Sequence, residues 1–285
     1  MSAQPFDPET FKEGQREDWD SAAIGWKKWR ALFERHSQFV SDRMVELADI
    51  RPGHRVLDVS TGPGEPALTV ARRVGPSGRI LGTDLSPAML AIARDRAAAA
   101  GMTNVEFREM DSEALEFPEA GFDAALCRFG LMFLPDPGAA ARRIRKALRP
   151  GGTFVAATWS VPPKVPMLSL AMATIQKHLH VPPPPPDVPS PFSLSDPEAM
   201  KRLLTRAGFE DARHETFTMV ADFASADEYT RFLRDIAAPV RAVLAKQPAD
   251  AQETVWQAIR EAANAYASPD GTVRMPNEGF YFIGQ

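Results

Sequence analysis

The chain has 285 residues, 44% apolar and 25% charged, an ordinary globular balance with room for one large α/β domain or a core carrying a sizeable insertion. A net charge of −4 with scattered basic residues argues against a nucleic-acid binder; the one dense cluster, Arg142, Arg143, Arg145 and Lys146, reads as the solvated face of a helix. A single cysteine, Cys127, excludes an internal disulfide and fits a reducing cytoplasm, no apolar run approaches the ~20 residues of a membrane span, and residues 1–7 carry no signal-peptide pattern.

In chain order, residues 1–15 read as a loose arm and residues 16–50 as helix in two segments, with Gly25 as the break. Trp19, Trp26, Trp29 and Phe33 fall in this stretch. They read either as anchors of the helices to a core or as a lid, because a flat aromatic can cover both a purine-like ligand and an apolar substrate. Arg51-Pro52-Gly53 turns the chain into a first strand, residues 56–59. Residues 60–64 form a turn in which Gly62 and Gly64 leave room for a ligand against bare backbone. Pro66 suits the first turn of a helix whose apolar face is Ala67, Val70, Ala71 and Val74. Strand, glycine turn and helix together bind nucleotide-like ligands at the carboxyl end of a parallel sheet.

The alternation continues. Residues 79–83 make a second strand closed by Asp84, and Ser86-Pro87 caps a helix that stops at Gly101. Residues 105–110 form a third strand, followed by Asp111, and residues 122–127 a fourth, followed by Arg128-Phe129-Gly130. A helix spaced by Ala140, Ile144 and Leu148 ends at Pro150-Gly151-Gly152, before a fifth strand at 153–159. Beyond it, a helix at 167–180 and a proline run at 182–186, extended on the surface, precede a helix from Asp196-Pro197 to Gly208. A sixth strand at 213–222, a helix capped by Ser225, a helix at 250–266 and a closing strand at 279–283 complete the chain. The units divide as 1–50, a helical lid segment; 51–160, a Rossmann-like core; and 161–285, helical insertions forming a substrate cap with the last two strands.

Gly62-x-Gly64-x-x-Ala67 with Asp84 satisfies the dinucleotide fingerprint, which nicotinamide-binding and S-adenosylmethionine-binding folds share. Charge separates them. Asp58 and Glu65 flank the place of a pyrophosphate, and at roughly 5 Å and an effective dielectric near 20 each like-charge pair costs about 3 kcal/mol. An ammonium and a sulfonium gain from the same arrangement. Asp111 closes strand three, placed to accept from an adenine amino group.

The stretches Val-Leu-Asp-Val-Ser-Thr-Gly-Pro-Gly, Gly-Thr-Asp-Leu-Ser-Pro-Ala-Met-Leu, Glu-Met-Asp-Ser-Glu-Ala-Leu, Phe-Asp-Ala-Ala-Leu-Cys-Arg-Phe-Gly and Leu-Arg-Pro-Gly-Gly-Thr-Phe follow one another between residues 56 and 159. In these the chain resembles class I S-adenosylmethionine-dependent methyltransferases, of the group that includes the ubiquinone/menaquinone-biosynthesis C-methyltransferases. The resemblance implies an α/β, Rossmann-like doubly wound seven-stranded sheet, mostly parallel with an antiparallel last strand, in the order 3-2-1-4-5-7-6. It also implies roles. Asp58 and the backbone of Ser60, Gly62 and Gly64 hold the methionine end of the cofactor, Asp84 takes the ribose hydroxyls, and Leu85 packs on adenine. Met110, Asp111 and Ser112 meet the adenine edge, while Arg128 and Phe129 face the methionine portion and the acceptor. Ser60 stands where that family usually has glycine, implying a backbone angle open to other residues and a hydroxyl available to the ligand carboxylate.

The expected function is methyl transfer to a small, fairly apolar acceptor, with S-adenosylhomocysteine as product and no nucleic-acid partner; a homo-oligomer is compatible. Met167, Leu168, Leu170, Met172, Tyr229, Phe232 and Trp256 read first as core and second as the lining of an acceptor pocket. Arg128 and His178 are the candidate catalytic groups; Cys127 reads as a small buried residue, and no histidine or cysteine cluster has metal-ligand spacing. Two alternatives remain. One is an S-adenosylmethionine-binding enzyme of a cyclisation or elimination; the other, a nicotinamide oxidoreductase, is disfavoured by Asp58, Glu65 and the lack of a Tyr-x-x-x-Lys pair.

Overall fold

A computed structural model describes residues 6–117, 120–182, 185 and 188–285. Seven strands, β1 (Arg55–Val59), β2 (Arg79–Asp84), β3 (Val105–Glu109), β4 (Phe122–Arg128), β5 (Leu148–Trp159), β6 (Arg213–Phe223) and β7 (Val273–Gly284), form one sheet. Their order is β3-β2-β1-β4-β5-β7-β6, with β7 antiparallel to both β5 and β6 and the pairs from β3 to β5 parallel. This is the expected doubly wound arrangement. Its cause is visible in β1, β4 and β5, where Val56, Leu57, Ala124, Leu126, Phe154 and Val155 are wholly buried. Each large aliphatic or aromatic side chain so placed contributes roughly 1.5–3 kcal/mol, which only a sheet covered on both faces supplies.

The helices are α1 (Pro8–Lys28), α2 (Arg30–Leu47), α3 (Ala67–Val74), α4 (Pro87–Ala99), α5 (Pro137–Ala147), α6 (Pro166–Leu179), α7 (Pro197–Arg206), α8 (Ala226–Ile236), α9 (Ala238–Leu244) and α10 (Ala249–Ala263). Local capping chemistry starts several of them. Ser86 Oγ accepts from Met89 N at 3.1 Å, Asp196 from Glu198 N at 2.9 Å, and Ser225 Oγ from Glu228 N at 3.2 Å. Strand order reverses between β1 and β4, so the β1 turn opens at the switch point where ligands of such sheets bind.

Four expectations are corrected. Residues 1–15 are not a loose arm throughout: α1 begins at Pro8, capped by Asp7, with Phe6 against Phe11 at 5.3 Å. The helical break falls at Trp29 rather than Gly25, where Trp29 Nε1 donates to Asp235 at 2.7 Å. Gly25 is instead a point of close approach, since a Cβ there would lie 2.5 Å from the Asp235 carbonyl oxygen. The fifth strand begins at Leu148, not Thr153, because Leu148 already pairs with Phe122 and the pairing shifts register between Phe122 and Ala124. The closing strand likewise runs from Val273, zipped along all of β6. Pro183, Pro184 and Pro186 of the proline run lie outside the described residues. Among the described residues no helix is long and apolar enough to cross a membrane.

Candidate active site

The turn after β1 is held by Asp58. It is fully buried, and its Oδ2 accepts from the Thr61 hydroxyl at 2.6 Å and from Ala67 N at 2.9 Å, tying the turn to the start of α3. Among the described residues its Oδ1 has no hydrogen-bond partner. Burial pushes the carboxyl from the ordinary 3.8 up to about 7, against the pull of those two bonds and of Arg128. Gly62 has φ 55, and a Cβ built there would meet nothing within 4 Å, so bare backbone faces open space.

Asp84 lies across from that turn. Its Oδ2 accepts from Gly62 N at 2.8 Å and its Oδ1 from Ser86 N at 2.9 Å. A carboxylate has about four acceptor positions. Each oxygen therefore retains capacity for one hydroxyl, which is what a ribose diol requires. Burial raises its pKa, opposed by the Ser86 and Gly62 amides.

Ser60 departs from expectation. Its φ is 56, in the left-handed region, where a side chain costs roughly 1–2 kcal/mol. Its Oγ lies 3.3 Å from Ser112 Oγ, bridging the β1 turn to the segment after β3. Leu85 and Met110 are half-buried and adjoin Asp84 and Asp111 in sequence. Asp111 caps the 3-10 turn Ser112–Ala114 through Glu113 N at 2.9 Å, and its Oδ2 accepts from Lys12 Nζ at 2.8 Å.

Lys12 is the residue that sequence reasoning missed here. It pairs with Asp111 and, at 2.6 Å, with Glu113; burial alone would depress the ammonium, yet the two carboxylates hold it above its ordinary pKa. Two more residues fasten α1 over the same edge. Arg16 meets Glu109 at 2.9 Å, and Asp20 accepts from the Ser86 hydroxyl at 2.5 Å and from Ala88 N at 3.2 Å. The aromatic residues of this layer pack on the protein itself. Trp26 stacks on Phe33 at 4.0 Å, Trp19 meets Phe133 edge-on, and Trp29 and Phe33 contact Phe232.

The charge distribution differs from expectation at one residue. Glu65 is not a free charge: it accepts from Thr69 Oγ1 at 2.7 Å and from Arg96 at 3.2 Å, so its charge is compensated. Arg128 projects from the end of β4, and its Nη1 donates to Ser41 Oγ at 2.9 Å and Ser37 Oγ at 3.2 Å on α2. Among the described residues no carboxylate lies within ion-pair distance of it, and burial depresses its pKa against the opposing pull of Glu65 and Asp58. Phe129 follows at φ 60, its ring stacked on Trp159 at 4.2 Å. Cys127 is wholly buried and burial pushes its thiol up to about 12, which leaves it inert. His178 lies on α6 with Nδ1 against the Thr174 carbonyl at 2.9 Å, and none of its hydrogen bonds joins it to Arg128. No group of three metal-ligating side chains occurs among the described residues.

The openings differ in place. Beside Arg128 lies a cavity of about 20 Å³ lined in part by Trp26, Phe33, Ser37 and Glu65. A cleft of about 540 Å³ opens at the amino ends of β1 to β4, among Arg55, Arg79, Asn104 and Phe122, at the opposite end of the sheet from the glycine turn. Asp58, Asp84 and Arg128 stand at the carboxyl ends of their strands, away from that cleft.

Residues 56–152, about a third of the chain, match the family model described as a methyltransferase domain. Its relatives are narrower. The chain is 38% identical over 119 residues to the ubiquinone/menaquinone biosynthesis C-methyltransferase UbiE of Pseudomonas putida strain F1, covering 41% of this chain and 46% of that protein. It is 38% identical over 109 residues to the UbiE protein of Ectopseudomonas oleovorans, covering 38% of this chain and 64% of that one. The chain thus spans about half the length of the first of these relatives. Among solved structures, the Bacillus subtilis YcgJ protein shares the fold at a TM-score of 0.57 and 18% identity, over 87% of this chain and 97% of that one. A Haemonchus contortus phosphoethanolamine N-methyltransferase, solved with S-adenosylhomocysteine, does so at a TM-score of 0.57 and 18% identity, over 93% of this chain and 57% of that one.

Proposed function

We propose that the chain binds S-adenosylmethionine across the β1 turn and transfers its methyl group to a small, fairly apolar acceptor. One observation carries the reading: two buried carboxylates, Asp58 with an unpartnered Oδ1 and Asp84 with a free acceptor position on each oxygen, stand on either side of the bare Gly62 backbone. An ammonium and a ribose diol satisfy both, whereas a pyrophosphate would meet the carboxylates with like charge.

When bound, the cofactor would supply an electrophilic methyl group on a sulfonium sulfur. The chain's part is placement. Asp84 fixes the ribose end, the turn from Ser60 to Gly64 backs the methionine end, and Arg128 with Phe129 closes the side from which the acceptor arrives. Orientation and exclusion of water account for much of such catalysis, up to ~7–11 kcal/mol in well-aligned systems. Helix α1, fastened by Lys12, Arg16 and Asp20, serves as the lid, and the helices after β5 and β6 as the acceptor's cap.

The test is calorimetric titration with S-adenosylhomocysteine and, separately, NADH, on the wild type and on Asp84→Asn. Binding of the former alone, weakened at least tenfold in the variant while melting temperature holds, supports the reading (about 1.4 kcal/mol per tenfold). NADH binding with no response to S-adenosylhomocysteine would overturn it.

A further inference from the structure

Tyr281 is a buried polar group to which methyl transfer as described gives no role. It is 3% exposed, and among the described residues its hydroxyl has no hydrogen-bond partner. Such a hydroxyl loses hydration and regains nothing, so it calls for an explanation. The register of the sheet shows what stands beside it. Arg128 lies opposite Ala157, Ala157 opposite Tyr281, and Tyr281 opposite Glu215, so the four side chains leave one face of the sheet in a row.

Ala157 contributes only a methyl to that row. Arg128 and Tyr281 are two strand spacings apart, roughly 10 Å at the backbone, and both side chains are long enough to converge above it. Helix α2 covers the same face, with Arg43 on Glu215 at 2.9 Å at one end and Ser41 on Arg128 at 2.9 Å at the other. The adjacent row is Trp159, Gly279 and Phe217. The Phe217 ring lies across Gly279, where a Cβ would be 2.3 Å from it, and 4.5 Å from the Tyr281 ring. Phe129, stacked on Trp159, holds a φ that bulky residues rarely adopt, a strain that marks functional positions.

We propose that Arg128 and Tyr281 together receive an ionised oxygen of the methyl acceptor above Ala157, with the acceptor's planar body against Phe129, Trp159 and Phe217. Among the described residues the guanidinium has hydrogen bonds on Nη1 only and the phenol proton has no acceptor, so between them they offer several donors and a charge to a carboxylate or phenolate. The aromatic rings supply stacking for the body that carries it. Tyr281 then selects the acceptor and leaves the cofactor alone. The inference rests on the methyl-transfer reading, and the acceptor enters by parting α2 from the sheet, since the cavity beside Arg128 is only about 20 Å³.

The experiment uses the full chain saturated with S-adenosylhomocysteine, titrated with benzoate, with 4-nitrophenolate above its own pKa, and with benzamide as the uncharged control. An anion binds and benzamide does not; preference for benzoate or nitrophenolate distinguishes a carboxylate from a phenolate acceptor. Tyr281→Phe weakens the anion roughly tenfold, leaves S-adenosylhomocysteine affinity within about twofold, and does not lower the melting temperature, because the hydroxyl has no partner to lose. The proposal is overturned if neither anion binds, if Tyr281→Phe binds it unchanged, or if the variant loses S-adenosylhomocysteine in step. Failure of the wild type to take S-adenosylhomocysteine would instead remove the methyl-transfer reading. Benzoate titration of the free protein, with and without Tyr281→Phe, then decides the oxyanion pair by itself.

Discussion

Protonation of Asp58 couples cofactor binding to pH in a calculable way. Buried with Oδ1 unpaired, its carboxyl titrates at about 7 in the free protein against an ordinary 3.8. A ligand ammonium placed at Oδ1 favours the ionised form, so binding below neutrality releases a proton. Restoring the ordinary value would be worth on the order of 4 kcal/mol, at 1.36 kcal/mol for each pH unit. S-Adenosylhomocysteine therefore binds about tenfold more weakly at pH ~6 than at pH ~8, with most of the change below 7. The free protein shows the opposite slope from this group. Because the folded value is raised above the unfolded one, the contribution is full below about 4 and is lost as pH rises through about 7. Calorimetry in buffers of different ionisation enthalpy reads both the affinity and the proton count. Asp58→Asn keeps the shape, flattens the profile and weakens binding at alkaline pH. A flat wild-type profile with no proton released, or an unchanged slope in Asp58→Asn, would refute the coupling.

Three further outcomes follow from packing. Lys12→Ala unfastens α1 from Asp111 and Glu113, so S-adenosylhomocysteine associates several-fold faster in stopped flow while stability falls by about 1 kcal/mol; an unchanged rate removes α1 from the entry path. Gly130→Ala brings a Cβ within 2.4 Å of Ser60 Cβ, so it destabilises by about 1–3 kcal/mol in urea unfolding and disturbs the β1 turn; an unaltered midpoint would show that the turn yields freely. Gly25→Ala pushes α1 off the Asp235 carbonyl at a similar cost of about 1–3 kcal/mol, and increased proteolysis within residues 8–28 is its signature; equal digestion of both proteins argues against that close approach.

Much of the core is legible in the amino-acid sequence alone, and for a local reason. Val56 to Val59 is a run that must be buried, Gly62 marks a turn of positive φ, and Ser86-Pro87 and Asp196-Pro197 start helices through bonds to amides two or three residues away. Such signals lie within a few positions of the element they create, and β-α alternation then dictates the parallel order. The misplaced ends share the opposite cause. The break at Trp29 draws on Asp235, 206 positions on, and the α1 segment, although capped locally by Asp7, is fastened by Lys12 meeting Asp111, 99 positions on.

The same division runs through the site. Asp58 and Asp84 could be marked from the sequence because a carboxylate at the end of a strand beside a glycine turn is a local pattern. That Glu65 is compensated by Arg96, that Ser60 carries a left-handed angle, and that Tyr281 stands in line with Arg128 across Ala157 were decided by tertiary structure. A one-residue slip of β7 would send the Tyr281 side chain to the other face of the sheet. Composition and periodicity establish which segments are strands. Only the packing of distant segments sets their register, and register determines which polar groups share a face.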